Sequence, residues 1–333
     1  MTIKNIIIIG LAFSLIACSC GNKTAKNPTA SAVSYQKVSP DFNGDSAYAY
    51  VDRQVTFGPR VPNTSAHVSC GDYLAGELKR FGADVTEQKM IVTAYNGTKL
   101  NARNIIGSYG LDKKNRVLLF AHWDSRPYSD HDPDPANHKK PLSGANDGAS
   151  GVGVLLEVAR VMQSQSPEIG VDIIFFDAED YGLPAFVTDY KGDSTETWCL
   201  GSRYWAQNPH VPNYKAKFGI LLDMVGAEGA TFYKEPYSKE YAGNVLEKVW
   251  STAGRLGYSK FFIGKDGSGV MDDHIPVNQI RRIPSIDIID YRQDVENGFF
   301  HSWHTQKDDM SNISKETLKV VGQTLLEVIY KEK

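Results

Sequence analysis

The 333-residue sequence is poor in cysteine, with only four, and two of these fall within its first twenty residues. So few cysteines cannot build the disulfide framework of a small secreted domain. The chain also lacks a basic block or arginine stripe, and its net charge of −3 gives no general attraction to nucleic acid. No apolar run is long enough to span a bilayer as a helix. With 41% hydrophobic and 23% charged residues, the composition is that of a globular protein with a sizeable core.

The N-terminal residues have the pattern of an export signal. A basic start precedes the apolar run 6–17, which is too short for a transmembrane helix. The tetrapeptide LIAC resembles a bacterial lipobox, in which Cys18 becomes the lipidated first residue; plain secretion with cleavage nearby is the alternative. We therefore expect a signal peptide over residues 1–17 and a polar, flexible tether over 18–40. The folded domain, residues 41–333, would be held by its lipid at the periplasmic side of the membrane or cell envelope.

Export would make the two remaining cysteines, Cys70 and Cys199, possible disulfide partners. Their separation in sequence does not fix their geometry, so the pairing stays open. Neither has the CxxC or Cys-His spacing that is typical of a metal site.

Apolar periodicity divides the rest of the chain into alternating helices and strands. Helices are predicted at 46–57, 65–80, 151–162, 241–254 and 315–330. Strands are predicted at 84–94 and 100–108, around an Asn-Gly turn, and at 116–121, 171–176, 218–222 and 285–289. Continuous apolar strands interleaved with helices indicate a single-domain α/β fold: a three-layer α/β/α sandwich around a mixed, mostly parallel twisted sheet.

Polar residues follow each buried strand, at the edge where open α/β sheets collect their ligands. These segments are His122-Trp123-Asp124, Asn146-Asp147-Gly148, Glu179-Asp180, Asp223, Asp272-Asp273-His274 and Trp303-His304. One such residue alone would be a helix cap or a solvated loop acid. Because so many fall at equivalent places, we expect them to converge on one crevice.

The chemistry that suits this crevice is that of a catalytic zinc ion. Such an ion takes three protein ligands from His, Asp and Glu and keeps a fourth position open. Asp147, Asp180 and His304 form a plausible set from three different segments. Glu179, adjacent to one ligand, would point toward the open position and transfer protons, with its carboxyl pKa raised by neighbouring acids.

At these residues the sequence resembles a known family. The segments GANDGASG, FFDAED, LLDMVGA, MDDHIP and WHTQKDD are similar to those of the M28-type zinc peptidase superfamily, specifically its glutaminyl cyclase branch. The resemblance runs from about residue 47 to 331. It implies an aminoacyl-transfer enzyme that converts N-terminal glutamine of peptides and proteins to pyroglutamate, releases ammonia and uses one zinc ion per chain.

Carried over residue by residue, the resemblance implies that Asp147, Asp180 and His304 bind the zinc ion and that Glu179 is the general acid/base. Asp223 and Asp272 would join Glu179 in an acidic network, and Trp303 would line the glutamine pocket.

Two departures from the family pattern concern the site. Asp180 stands where animal cyclases have a second Glu, so the shorter side chain must approach the ion more closely. The tryptophan that those enzymes have a few residues later is missing, since YGLPAF occupies the stretch. Trp198 is the candidate for the same pocket wall, with a packing aromatic as its alternative role.

The chief alternative function is a two-zinc aminopeptidase of the same superfamily. His122, Asp147 and Asp223 are the residue types that such enzymes use for their second ion, so residue identity excludes neither reaction. Trp303 beside the zinc histidine and the MDDHIP segment favour the cyclase. A third possibility is an inactive peptide-binding lipoprotein, against which the intact Glu179 argues.

Further expectations concern the surroundings of the site and the partners. Asp124 should orient His122, and residues 128–141 should form a solvated rim loop. Asp308 and Asp309 resemble acids that cap a helix or brace a loop. We expect a monomer whose partners are peptides with N-terminal glutamine, with the lipid anchor as its sole membrane attachment and no nucleic-acid partner.

Overall fold

The structure is a computed structural model that describes residues 35–333. The predicted signal peptide, the lipidation site Cys18 and most of the predicted tether lie outside these residues. Within them, the elements follow in the order α1 (Gly44–Val55), α2 (Ser65–Arg80), β1 (Asp84–Thr93), β2 (Lys99–Tyr109), β3 (Arg116–His122), α3 (Ala149–Ser164), β4 (Gly170–Phe176), α4 (Leu200–Gln207), β5 (Gly219–Asp223), β6 (Phe232–Lys234), α5 (Pro236–Arg255), β7 (Phe262–Asp266), α6 (His274–Pro276), β8 (Ser285–Ile289) and α7 (Lys315–Tyr330).

The central sheet has the strand order β1-β2-β4-β3-β5-β8. The pairs β1–β2 and β2–β4 are antiparallel, while β4–β3, β3–β5 and β5–β8 are parallel. The predicted mixed, mostly parallel sheet within an α/β sandwich is therefore confirmed. The parallel strands all end at one edge of the sheet, which places the residues that follow them side by side.

The apolar run of β3 shows why its sequence does not alternate with polar residues. Leu119 and Ala121 pack into the larger core, together with apolar residues of α1, α2, α3, α5 and α7. Leu118 and Phe120 face the opposite side and pack against α4 and the chain that follows α6. Both faces of the strand are covered, so apolar residues are favoured at every position.

The compact part of the chain begins slightly earlier than the predicted domain boundary at 41. Its first residue is Gln36. The backbone amides of Val38 and Ser39 donate hydrogen bonds to the buried carboxylate of Glu327 on α7. Val38 and Ser39, within the range predicted as tether, are thus hydrogen-bonded to the last helix.

Several elements differ from the sequence prediction. α4, α6, β6 and β7 were not predicted, and α5 begins at Pro236, five residues before the predicted start, because the Glu235 side chain accepts from the amides of its first turn. Cys70 and Cys199 are both buried and free, so the pairing that the sequence left open does not form. In the described residues no helix is both long and apolar enough to cross a membrane.

Candidate active site

The predicted crevice forms at the carboxyl edge of the parallel strands. His122 ends β3, Asp223 ends β5, and Glu179 and Asp180 follow β4. Asp147 lies just before α3. Asp272 and His304 arrive from loops that precede α6 and α7. The six residues predicted as metal ligands or proton carriers, Asp147, Glu179, Asp180, Asp223, Asp272 and His304, are each at most 8% exposed.

Four residues at this edge have a backbone conformation that residues other than glycine rarely adopt. Ala178, Cys199, Met224 and His304 all have positive φ angles, between 48° and 58°. Each lies beside or within the crevice, and none is a glycine. Such left-handed residues cost free energy and concentrate at functional sites. The strand ends are therefore turned sharply so that their side chains point inward.

Asp147, Asp180 and His304 form a group with the spacing of metal ligands. His304 Nε2 lies 3.6 Å from Asp147 Oδ2 and 3.5 Å from Asp180 Oδ1. Bonds of about 2.0–2.2 Å to a tetrahedral zinc ion place two nitrogen or oxygen ligands about 3.4 Å apart. Asp180 Oδ2 is buried without a hydrogen-bond partner in the protein. The three residues therefore fit a single divalent cation.

Two further aspartates hold the ligand-bearing loops in place. Asp308 accepts hydrogen bonds from the backbone amides of Asn146, at 2.8 Å, and Asp147, at 3.1 Å. Asp124 accepts in the same way from the amides of Glu179 and Asp180. Of the two roles that the sequence left open for Asp308, helix capping and loop bracing, the structure shows loop bracing. Asp124 also lies 3.6 Å from His122 Nδ1, which is too long for a hydrogen bond, so its predicted role in orienting this imidazole stays a prediction.

A buried ion pair between Arg126 and Asp130, which the sequence did not indicate, contacts the ligands His304 and Asp180. Arg126 is fully buried and binds both carboxylate oxygens of Asp130. Asp130 Oδ1 lies 3.4 Å from His304 Nδ1, the ring nitrogen that faces away from the cation group. Arg126 also donates to the backbone carbonyl of Asp180. Carboxylates that orient a metal-binding histidine are a common feature of metal sites.

A second group, His122, Asp147 and Asp223, has the residue types of another cation site. Its spacing is shorter. His122 Nε2 lies 3.0 Å from Asp147 Oδ1 and 3.1 Å from Asp223 Oδ1, as in direct hydrogen bonds. Burial alone would lower the pKa of His122, but Asp124, Asp147 and Asp223 raise it well above its usual value. A protonated imidazole therefore suits this position.

Glu179 and its neighbours form a buried acidic network. Burial raises the pKa of Glu179 well above its usual value; His122 opposes this, and Asp180 and Asp272 add to it. Burial, followed by repulsion from Asp223, raises the pKa of Asp272 to about 7. Burial likewise raises the pKa of Asp223 to about 6. These carboxyl groups can therefore hold and exchange protons near neutral pH.

The cavity above the cation group has an aromatic lining. Its walls are formed by three aromatic residues, Trp198, Phe299 and Trp303, and by Ile289. Glu179 and the cation group lie in its floor. The Trp303 ring stacks on His304, with centroids 3.7 Å apart. Trp198 lies parallel to the same imidazole at 6.1 Å and rests on the Arg126 guanidinium. Both predicted pocket tryptophans thus face the predicted zinc ligands.

Gly182 explains how Trp198 reaches this place. A Cβ atom on Gly182 would lie 2.1–2.2 Å from two Trp198 ring carbons. Gly182 belongs to YGLPAF, the stretch in which the family tryptophan is missing. The absence of that side chain and the glycine together leave the space that Trp198 fills.

Substitution of Gly182 by Ala should therefore displace Trp198 from the cavity wall. We expect KM for a peptide substrate to rise about tenfold or more, because one lost wall contact of 1–3 kcal/mol corresponds to about 10–200-fold, with a smaller effect on kcat. Steady-state kinetics measures both constants. Gly76→Ala is the matched control, since a Cβ at Gly76 meets nothing within 4 Å. An unchanged KM in Gly182→Ala would show that Trp198 does not contact substrate.

Sequence reasoning missed some residues at the site. Arg126 and Asp130 carried no motif, although their separation of four residues is a weak signal for an ion pair. Cys199 was considered only as a disulfide partner, yet its thiol contacts Glu179. The rim loop, residues 128–141, packs on the site. The His131 ring contacts the Trp303 ring at a tilt of 45°, and the His131 backbone amide donates to the His304 carbonyl.

Comparisons with known proteins identify relatives of both predicted kinds. The sequence profile of peptidase family M28 matches residues 104–329. The structure of a Zn-dependent exopeptidase from Parabacteroides distasonis is 64% identical over 89% of this chain and 100% of that chain, with a TM-score of 0.86. That of Tannerella forsythia glutaminyl cyclase is 63% identical over 88% of this chain and 100% of that chain, with a TM-score of 0.86. Aminopeptidase YwaD of Bacillus subtilis is 27% identical over 86% of this chain, which spans only 57% of that enzyme.

Proposed function

The chain belongs to peptidase family M28, and we propose that it is a zinc-dependent glutaminyl-peptide cyclotransferase. The reaction closes the N-terminal glutamine of a peptide into pyroglutamate and releases ammonia. Similarity to the Tannerella cyclase over that protein's whole length supports this reaction. Because an exopeptidase is equally similar, the choice between the two reactions rests on the site itself.

The observation that carries the choice is Trp303, the residue typical of the cyclase branch, which lines the cavity and stacks on His304. The two potential cation groups also differ in spacing. In the Asp147–Asp180–His304 group, one oxygen of each aspartate lies 3.5–3.6 Å from His304 Nε2, a separation that suits two ligands of one zinc ion. In the other group, His122 Nε2 contacts Asp147 and Asp223 directly at 3.0–3.1 Å. A protonated His122 there would supply the positive charge that a second ion supplies in two-zinc enzymes. This arrangement supports the proposal of one zinc ion per chain.

The residues of the chain divide the chemistry between them. Trp198 and Trp303 would hold the glutamine side chain over the floor of the cavity. Asp147, Asp180 and His304 would hold the zinc ion, which would supply Lewis-acid chemistry at the γ-carbonyl of the glutamine. Glu179 would accept a proton from the α-amine as its nitrogen attacks the γ-carbon. The same carboxyl would then protonate the departing amide nitrogen, which leaves as ammonia.

The substrate supplies its own nucleophile, so no activated water is required. The amine and the amide carbon belong to one residue, and attack within one molecule already has the entropic advantage of proximity. The enzyme then has to position the chain, stabilise the developing charge and carry the proton. Asp223 and Asp272 would share that proton with Glu179 between the two steps.

The test uses two peptides that differ in their first residue. The protein is incubated with Gln-Xaa and Leu-Xaa peptides, and the products are identified by mass spectrometry. We expect the Gln peptide to lose one ammonia with its chain intact and the Leu peptide to stay unchanged. Free leucine would instead support the aminopeptidase. Metal analysis of the same sample should return about one zinc per chain, as a site with three protein ligands implies.

Substitution of Asp272 by Asn should shift the pH dependence of this reaction. Burial is the main cause of the raised pKa of Glu179, and Asp272, when it is ionised, adds to it. Because the pKa of Asp272 is about 7, removal of its carboxyl lowers the pKa of Glu179 mainly near and above neutral pH. Glu179 then remains deprotonated at lower pH than in the wild type, so it can still accept the amine proton there. We expect the acidic limb of the kcat/KM profile to move to lower pH in Asp272→Asn. Asp112→Asn, at an exposed turn before β3, should leave the profile in place. A limb that moves to higher pH would contradict the network.

The remaining parts of the proposal concern the cellular setting. Lipidation at Cys18, with export to the periplasmic side of the membrane or cell envelope, is supported by the lipobox-like LIAC segment. The substrates would then be exported chains that carry N-terminal glutamine after signal cleavage. Mass spectrometry of the mature N-terminus tests the lipid. Size-exclusion chromatography of residues 36–333 tests the proposed monomer.

A further inference from the structure

The thiol of Cys199 lies beside the proposed proton carrier. Its Sγ donates a hydrogen bond to Glu179 Oε1 at 3.4 Å, and the Cys199 side chain is 3% exposed. The mechanism above does not use this thiol. A buried thiol and a buried carboxylate that face each other are a potential pair of metal ligands.

Asp272 completes a group of three. One ligand atom from each of Glu179, Cys199 and Asp272 lies within 4.8 Å of the other two. A tetrahedral zinc ion with bonds of about 2.3 Å to sulfur and 2.0–2.2 Å to oxygen places these ligands about 3.6 Å apart. The sulfur–oxygen separation of 3.4 Å already matches that spacing. Asp272 Oδ2 is buried and has no hydrogen-bond partner in the protein.

The backbone holds this group ready for a ligand. Cys199 donates its amide to the Glu179 carbonyl at 3.0 Å, and Leu200 donates to Ala178 at 3.1 Å. Cys199 itself has a φ of 58°, at the sharp turn before α4. The carbonyl of Asp272 accepts from the amide of Ile275, at the start of α6. Few degrees of freedom therefore remain to be lost when an ion binds.

Charge also favours a cation here. In the described residues no lysine or arginine forms an ion pair with Glu179 or Asp272, and His122 approaches Glu179 only at 4.0 Å. These two carboxyl groups stay neutral by holding protons, and a divalent cation that displaces those protons to solvent would allow both to ionise in the buried site. Glu179 and Asp272 line the cavity, which gives an ion a path from solvent and a position for a bound water.

We propose that Glu179, Cys199 and Asp272 form a second, inhibitory site for a thiophilic divalent cation such as Zn²⁺ or Cd²⁺. The ion binds the Cys199 thiolate, whose proton passes to solvent, together with one oxygen of each carboxylate. Glu179 then cannot accept a proton from the substrate amine. The group shares no residue with the zinc ligands or with the His122–Asp147–Asp223 group. The binding claim stands without the proposed function, whereas the inhibition claim rests on it.

The test titrates the zinc-loaded enzyme with Cd²⁺ and follows the ultraviolet thiolate-to-cadmium charge-transfer band. Cys199→Ser removes the ligand and nearly keeps the volume, and Cys199→Ala is the second variant should serine perturb the turn. Cys70→Ser is the matched control, because Cys70 is also buried and free but is not part of this group. We expect the wild type and Cys70→Ser to bind one more Cd²⁺ per chain than Cys199→Ser, with a correspondingly larger band.

Excess Zn²⁺ should inhibit cyclisation in the wild type. In Cys199→Ser the Zn²⁺ concentration for half-inhibition, relative to that variant's own uninhibited rate, should rise more than about tenfold, since loss of an outer partner alone costs 10–100-fold. Equal Cd²⁺ binding and equal bands in wild type and both Cys199 variants would overturn the site. A larger wild-type band without inhibition would overturn only the blocking of Glu179. Failure of cyclisation itself would leave the band unaffected.

Discussion

The Glu179→Gln enzyme should keep its zinc and lose about 10²- to 10⁴-fold in kcat, the usual contribution of a positioned acid/base. Gln has nearly the shape of Glu but cannot accept the amine proton or return it to the leaving group. Glu179 is not one of the zinc ligands Asp147, Asp180 and His304, so the metal should stay bound. Turnover of a Gln-Xaa peptide, with zinc content measured on the same preparation, tests both parts.

The matched control for this substitution is Glu240→Gln, on the exposed surface of α5. It makes the same chemical change away from the cavity, so kcat should stay at the wild-type value. Two results would contradict the role of Glu179. Near wild-type turnover in Glu179→Gln would mean that another group carries the proton. Loss of zinc from the variant would mean that Glu179 is a ligand.

The sequence was sufficient to predict the central sheet and the convergence of the site residues. β3 and β4 are continuous apolar runs, and such runs mark strands that are covered on both faces. Asp147, Asp180 and His304 are far apart in sequence, but each follows a predicted strand or precedes a predicted helix. Since parallel strands end at one edge, their proximity could be inferred before any distance was known.

What the sequence could not predict depends on the paths of loops. Arg126 and Asp130 lie in a segment without periodicity, and their contact with His304 requires the rim loop to fold back onto the site. Ser39 and Glu327 are 288 residues apart and meet because the chain before α1 lies on α7. The thiol of Cys199 could be placed near Glu179 only once the turn before α4 was known.

Trp198 is an intermediate case. Its sequence context left two roles open, a pocket wall or a packing aromatic. The structure places it at the cavity, half-buried and stacked over Arg126. The missing tryptophan in YGLPAF was a useful signal, because a vacant wall has to be filled by another side chain. The role of Gly182 could not be read from the sequence, since it depends on a contact across sixteen residues.

The last prediction concerns the zinc ion itself: His304→Ala should abolish turnover by removing one of three ligands. Zinc affinity should fall more than about 100-fold, because loss of an outer partner alone costs 10–100-fold. His301→Ala is the matched control, since His301 lies in the same loop but is exposed, and it should keep both zinc and activity.

The thermal stability of these two variants gives a readout that needs no turnover. An ion that binds only the folded state stabilises it by about 2.7 kcal/mol at one hundred times its Kd. Added zinc should therefore raise the Tm of the metal-free wild type and of His301→Ala, but raise that of His304→Ala much less. An equal rise in His304→Ala would place the stabilising ion elsewhere. The assignment of the catalytic zinc ion to Asp147, Asp180 and His304 would then have to be abandoned, because the ion would bind another of the acidic groups in this crevice.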